Sequence, residues 1–297
     1  VIFAQPGETI HFTYDVPEDY VVTKEEWLWY FCYTNGRSAT LYDGEYGESH
    51  MESYTYEPTG IHVEWDGKGS ISLSANEMVR IQLHLNEYEY LFAYVVVADP
   101  AEYYTYEIQS GEATITGYNK DLLRRKVLIP EEIEGCPVTT IGDRAFYDMP
   151  SGIGKEFYIP DNVTTFGKEA FAASAYLDSV RMPQKLTKMG EGVFAACLQM
   201  HFLEIPDSLT EIPDYAFTNC WGYGEVNKYS AEQSIGRVEQ CVGKNVTKIG
   251  KYAFAGCWNM GKAWGDGRLP EKLESIGEGA FQYCYKIKSL EIPAGVI

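Results

Sequence analysis

The stretch "KIGKYAFAGC", Lys248 to Cys257, returns almost unchanged as "SIGEGAFQYC", Ser275 to Cys284. Looser versions lie upstream. An Ala-Phe or Val-Phe pair recurs at Phe146, Phe171, Phe194, Phe217, Phe254 and Phe281, at intervals of 25, 23, 23, 37 and 27 residues. These phenylalanines number six copies of one unit, whose basic length is 23 residues and whose longer intervals carry insertions. Repetition at such a period is the signature of a stacked array, so it decides the architecture before any local reading does.

Aligned on their prolines, the copies read "IPDNVTTFG" (159–167), "MPQKLTKMG" (182–190), "IPDSLTEIP" (205–213), "VGKNVTKIG" (242–250) and "LPEKLESIG" (269–277). An alternating segment precedes this block, as in "LDSVRMP" (177–183) and "IKSLEIP" (287–293), where Leu177, Val180 and Met182 match Ile287, Leu290 and Ile292. Such alternation predicts a short strand that ends at a proline turn. A 23-residue unit with one strand cannot enclose a core, but stacked units can pair strands and bury a continuous apolar column. The Val/Leu, Ile/Phe and Ala-Phe positions are expected to point inward, with alternate strand positions facing solvent.

The pattern resembles the BspA-like leucine-rich repeats of bacterial and some protozoan surface proteins, roughly LxxIxIPxxVxxIGxxAFxxC. The resemblance covers about residues 127–297, and "GEATITGYNKDLLRRKVLIPEEIEGCPVTTIGDRAF" (111–146) resembles the opening unit of such arrays. It implies a right-handed leucine-rich-repeat solenoid over residues 100–297 and a secreted or cell-surface location. Three departures are local: Pro213 stands where glycine is usual, Val242-Gly243 replaces Ile-Pro, and "WGYGEVNKYSAEQSIGR" (221–237) interrupts the array. The segment "YYTYEIQSGEATITGY" (103–118) reads as a hairpin, the core of an N-cap over 103–126. The final "IPAGVI" stops inside a copy, which points to an array that was cut there rather than capped.

Residues 1–99 have a different character. Residues 1–100 hold 17 acidic against 4 basic residues, whereas the remainder holds 26 against 20. The segments "ETIHFTYDV" (8–16), "EEWLWYFCY" (25–33), "GIHVEW" (60–65), "MVRIQLHL" (78–85) and "YLFAYVVVA" (90–98) are separated by turn signals such as Asp43-Gly44 and Asp66-Gly67. Short strands at this spacing predict a β-sandwich of Ig-like type. Cys32 has no second cysteine at the spacing of an inter-sheet disulfide. The fold class is therefore mostly β, a sandwich followed by a solenoid.

The formal charge of −19 disfavours phosphate backbones and anionic headgroups, which need a basic face. No apolar run reaches the roughly 20 residues that cross a bilayer. Val1 begins without Met or a basic leader, as a processed or trimmed exported chain would. The partners expected are an extracellular protein or glycan, with neither nucleic acid nor direct membrane insertion.

Chemistry is sparse. Cys197, Cys220, Cys257 and Cys284 each follow a repeat Phe by three residues, which places them in a column about 5 Å apart, the strand spacing. A column does not converge on a point as zinc ligands must, so buried thiols are expected. The "NVT" at Asn162 and Asn245 fills one slot of the repeat, which explains it without glycosylation. His11, His50, His62, His84 and His201 form no HExxH, no GxSxG accompanies a serine, and no phosphate loop follows a strand. No enzyme, cofactor or metal is expected.

Binding is the expected role, because a solenoid presents a sheet face and rows of loops. Solvent-facing strand positions give Tyr158, Arg181, Phe202, Glu204 and Glu291 as candidates, and the inserts give Trp221, Tyr223 and Trp264. Adhesion to host or neighbouring-cell proteins is one reading. The other makes the first domain a carbohydrate-binding module, with Trp27, Trp29 or Trp65 stacking on sugar rings, joined to a spacer of a larger glycan-processing protein.

Overall fold

The computed structural model describes residues 99–123, 125–200, 205–222, 242–260 and 268–297, together with the backbone of eight strands within residues 1–98. The chain divides into two compact units, Val1–Pro100 and Ala101–Ile297.

In the first unit the strands are β1 (Ile2–Ala4), β2 (Ile10–Tyr14), β3 (Trp29–Thr34), β4 (Arg37–Tyr42), β5 (Met51–Glu57), β6 (Gly60–Trp65), β7 (Glu77–His84) and β8 (Tyr90–Val97). One sheet runs β1-β8-β7-β3-β4, and a second runs β2-β6-β5. All neighbours are antiparallel except β1, which joins β8 in parallel, with Ile2 opposite Val95.

A single helical turn, α1 (Pro100–Tyr103), leads into the second unit, which opens with β9 (Tyr104–Gln109) and β10 (Glu112–Tyr118) as an antiparallel hairpin. From there on the stacking is parallel. Copies one to three each contribute two short strands rather than the one expected from the alternation, and copies four to six show the second of them among the described residues. The first strands are β11 (Lys126–Leu128), β14 (Glu156–Tyr158) and β16 (Ser179–Arg181), paired as one sheet. The second strands sit at the Ile-Gly corner. These are β13 (Cys136–Ile141), β15 (Thr165–Phe166), β17 (Lys188–Met189), β18 (Glu211–Ile212), β19 (Lys248–Ile249) and β20 (Ser275–Ile276). A two-residue strand leaves no alternation to detect, which is why periodicity alone missed this sheet. β12 (Glu132–Ile133) folds back on β13, and the hairpin joins this second sheet through β10. The predicted strand "IKSLEIP" (287–293), which follows copy six, is reduced to one parallel bridge, Glu291 to Arg268.

The core follows the repeat. Val163, Leu186, Leu209, Val246 and Leu273 are buried, as are Ile141, Phe166, Met189, Ile212 and Ile249. The repeat phenylalanines form a file of near-parallel rings with centroids 5.5, 5.0, 5.5, 5.2 and 5.6 Å apart from Phe146 to Phe281. Tyr118 of the hairpin extends the file, stacked on Phe146 at 5.5 Å, so the first ring is covered. Burying each ring removes about 1.5–3 kcal/mol of apolar exposure, and the stacking adds about 0.5–1.5 kcal/mol per pair.

The turn that carries each Phe has an unusual backbone. The residue two before Phe and the residue two after both adopt positive φ in all six copies: Arg144, Glu169, Gly192, Tyr215, Tyr252 and Gly279, then Asp148, Ala173, Ala196, Asn219, Gly256 and Tyr283. Most are not glycine. They are held there because the alternation directs three N–H groups per turn at the next copy, as in Arg144 to Lys168 O (2.9 Å), Phe146 to Ala170 O (2.7 Å) and Asp148 to Ala172 O (2.9 Å). Three backbone bonds per junction, about 0.5–1.5 kcal/mol each, offset much of a left-handed cost of about 1–3 kcal/mol per residue.

Candidate functional site

The four cysteines are buried and free, and each thiol donates to the carbonyl of the phenylalanine one copy earlier. The bonds are Cys197 to Phe171 O (3.2 Å), Cys220 to Phe194 O (3.0 Å), Cys257 to Phe217 O (3.1 Å) and Cys284 to Phe254 O (3.1 Å). Ser174 fills the slot in copy two and donates to Phe146 O at 2.8 Å, so the position selects a small donor rather than sulfur chemistry. Burial pushes all four thiols up, Cys220 and Cys284 to about 12. Such thiols stay protonated and unreactive at neutral pH. Among the described residues no group of three or more His, Cys, Asp or Glu converges as a metal site.

Asn162 and Asn245 also join copies, their amides donating to Glu131 O (2.6 Å) and Asp207 O (2.9 Å). Ion pairs between consecutive copies line the outside, among them Arg144–Glu169 (3.5 Å), Lys168–Glu191 (3.3 Å), Lys155–Asp178 (3.5 Å) and Lys248–Glu211 (3.6 Å). Exposed pairs contribute little stability, about 0–1 kcal/mol, but they use up charges that a ligand would otherwise meet.

The sequence candidates fall in different places. Tyr158 is half-buried on β14 with Lys126 Nζ 5.8 Å from its ring centre. Arg181 is exposed at the end of β16. Glu291 is exposed and paired with Arg268 at 3.0 Å. Phe202, Glu204, Tyr223 and Trp264 lie outside the described residues, as do the side chains of Trp27, Trp29 and Trp65. Trp221 is 41% exposed, but it belongs to the repeat rather than to the insert, since it follows Phe217 by four residues.

That same slot holds Trp258 and Tyr285 in copies five and six, and both are exposed. Trp221 and Trp258 stack face to face at 5.0 Å and 11°, and Tyr285 meets Trp258 edge-on at 6.2 Å. Tyr283 lies beside Tyr285 at 6.1 Å. Asn259 braces the ridge by donating its amide to Trp221 O at 2.8 Å. On the other flank of the same turns, Tyr215 and Tyr252 stack at 5.6 Å. Copies one to three carry Pro150, Ala175 and Leu198 in the tryptophan slot, so the ridge is confined to copies four to six. The signal in the sequence is the match between "YAFTNCW" (215–221) and "YAFAGCW" (252–258), which share the tryptophan slot.

Stacked parallel strands, a phenylalanine file and a cross-copy hydrogen-bond column define a leucine-rich-repeat solenoid. The chain belongs to the family described as the BspA type leucine rich repeat region, which matches it in six copies over residues 131–222 and 225–297. It is similar in fold to the leucine rich repeat protein of T. pallidum, with 24% identity and a TM-score of 0.53 over 66% of this chain and 81% of that one. A leucine rich cell surface protein from Faecalibacterium prausnitzii A2-165 aligns at 23% identity and a TM-score of 0.46, over 64% of this chain and 52% of that one. Among curated proteins, none matches this chain. Among the described residues no helix is long and apolar enough to cross a membrane.

Proposed function

We propose that this chain is a bacterial cell-surface or secreted protein that adheres to host or neighbouring-cell proteins, without turnover, through the outside of its solenoid. The observation that carries the reading is the exposed ridge of Trp221, Trp258, Tyr283 and Tyr285, which offers the large rigid contact area that interface hot spots use. The ridge suits a protein better than a sugar. Trp221 and Trp258 each give one face to the other, which halves the open aromatic surface on which a pyranose ring could stack. The family supports the surface location. In the first unit, the Ig-like reading is supported by the strand order: a β8-β7-β3 sheet extended by β4 and β1, beside a β2-β6-β5 sheet.

The test is capture of extracellular proteins from the surface of cultured epithelial cells by the whole chain, run beside a glycan array. Loss of capture in a W221A/W258A/Y285A variant with an unchanged circular dichroism spectrum supports the proposal. Equal capture by variant and parent refutes it, and binding seen only on the glycan array returns the function to the carbohydrate-module reading.

A further inference from the structure

The second-strand sheet does not run the length of the array. It is unbroken from β9 through β10, β13 and β15 to β17, and starts afresh as β18-β19-β20. Two backbone bonds are missing at this one junction. Elsewhere the corner glycine donates its N–H to the preceding copy: Gly142 to Ile115 O, Gly167 to Ile141 O, Gly190 to Phe166 O, Gly250 to Ile212 O and Gly277 to Ile249 O, at 2.7–2.8 Å. Copy four has Pro213 in this slot, which has no N–H to give. Three residues earlier, Thr164, Thr187, Thr247 and Glu274 donate to the preceding copy at 2.8–2.9 Å, while the N–H of Thr210 has no backbone acceptor among the described residues.

Sterics point the same way. The corner accepts only glycine where copies nest, since a Cβ on Gly190 would lie 2.4 Å from Gly167 C, and one on Gly250 would lie 2.4 Å from Asp214 N. Pro213 carries a Cβ, so copy four cannot nest on Gly190 in this way. The insertion between copies four and five, a 37-residue interval, leaves β18 paired with β19. Chain length is therefore not the cause of the break.

The opposite side of the junction stays closed. Gly192, Phe194 and Ala196 donate to Asp214, Ala216 and Thr218 carbonyls at 2.9, 2.8 and 2.7 Å, Cys220 reaches Phe194 O at 3.0 Å, and Phe194 stacks on Phe217 at 5.5 Å. On the side without ladder bonds β17 and β18 remain neighbours, and the Ser208 hydroxyl lies within hydrogen-bond reach of both Leu186 O (2.5 Å) and Gln184 O (2.8 Å).

We infer that the junction between copies three and four is a one-sided hinge, bonded along the phenylalanine turns and released along the second-strand sheet by Pro213. Opening it swings the aromatic ridge of copies four to six as one block relative to the charged strands of copies one to three. Local openings of this kind cost less than global unfolding and expose the amides that lack partners.

Hydrogen exchange on the whole chain tests it. The amides of residues 210–212 are expected to exchange at least about tenfold faster than those of 247–249, their equivalents one copy on. In P213G the restored N–H and the absent Cβ let the corner nest, and the two segments are expected to agree within about threefold. Placing the break elsewhere, G250P should deprotect 247–249 to the level of 210–212. Equal protection of the two segments in the parent overturns the hinge, and so does a difference that survives P213G. If G250P does not fold, those two comparisons decide.

Discussion

Replacing Phe194 by alanine removes a ring that is fully buried between Phe171 at 5.0 Å and Phe217 at 5.5 Å, with Phe166 edge-on at 6.2 Å. Loss of a buried phenylalanine costs about 3–5 kcal/mol through lost transfer and the cavity left behind. The site cannot collapse readily, because three turn bonds on each side hold the neighbouring copies at their spacing. The expected cost is therefore near the upper end. For a unit of this size about 2–4 °C accompanies each kcal/mol, so the melting temperature should fall by about 6–20 °C. Phe281 is the internal control: it is half-buried and stacks on Phe254 at 5.6 Å, so F281A should cost about half as much. Urea unfolding of parent, F194A and F281A, followed by circular dichroism, measures both. An F194A cost below about 1 kcal/mol, or equal costs for the two variants, would refute the stacked-file account of stability.

Two further outcomes follow from the thiol column. Cys257→Ser should leave stability close to the parent, because Ser174 already performs that role, whereas Cys257→Ala should cost about 0.5–1.5 kcal/mol, since Phe217 O keeps its bond from Cys220 N at 3.2 Å and loses only the thiol; equal urea midpoints for the two variants would contradict this. The alkaline limb of stability should also bear the column's mark. Unfolded thiols release protons near the ordinary value of 9.0, while Cys220 and Cys284 hold theirs to about 12. Over that window the unfolded chain binds fewer protons, so this contribution is whole below pH 9.0 and is lost as pH rises toward about 12, at up to ~1.4 kcal/mol per unit per group. An unchanged urea midpoint between about pH 8 and about pH 10.5 would show the thiols to be solvated instead.

The period of the copies and the inward positions were legible because they rest on side-chain chemistry repeated six times. Ile249, Ala253, Phe254 and Cys257 are buried where "KIGKYAFAGC" said they would be. The second strand was not legible, since its ordering comes from pairing with the next copy rather than from local alternation. The left-handed residues were hidden for a related reason: Tyr215 and Tyr252 have no local preference for positive φ, and only neighbouring carbonyls hold them there. Of the candidate site, Trp221 was visible as an aromatic residue, but its partner Trp258 was not. Two residues 37 apart become a stacked pair only when copies align in space.

By itself, then, the sequence determined the repeat, the apolar column and the burial of the column's four cysteines, because a side chain's polarity and phase within a unit do not depend on its neighbours' coordinates. Tertiary structure alone decided what the departures mean. Pro213 was a visible irregularity, but its consequence depends on which carbonyl lies opposite the missing N–H and on how closely Gly190 must approach. Hydrogen bonds and steric contacts between copies are properties of the stack, and they exist only once the chain has closed upon itself.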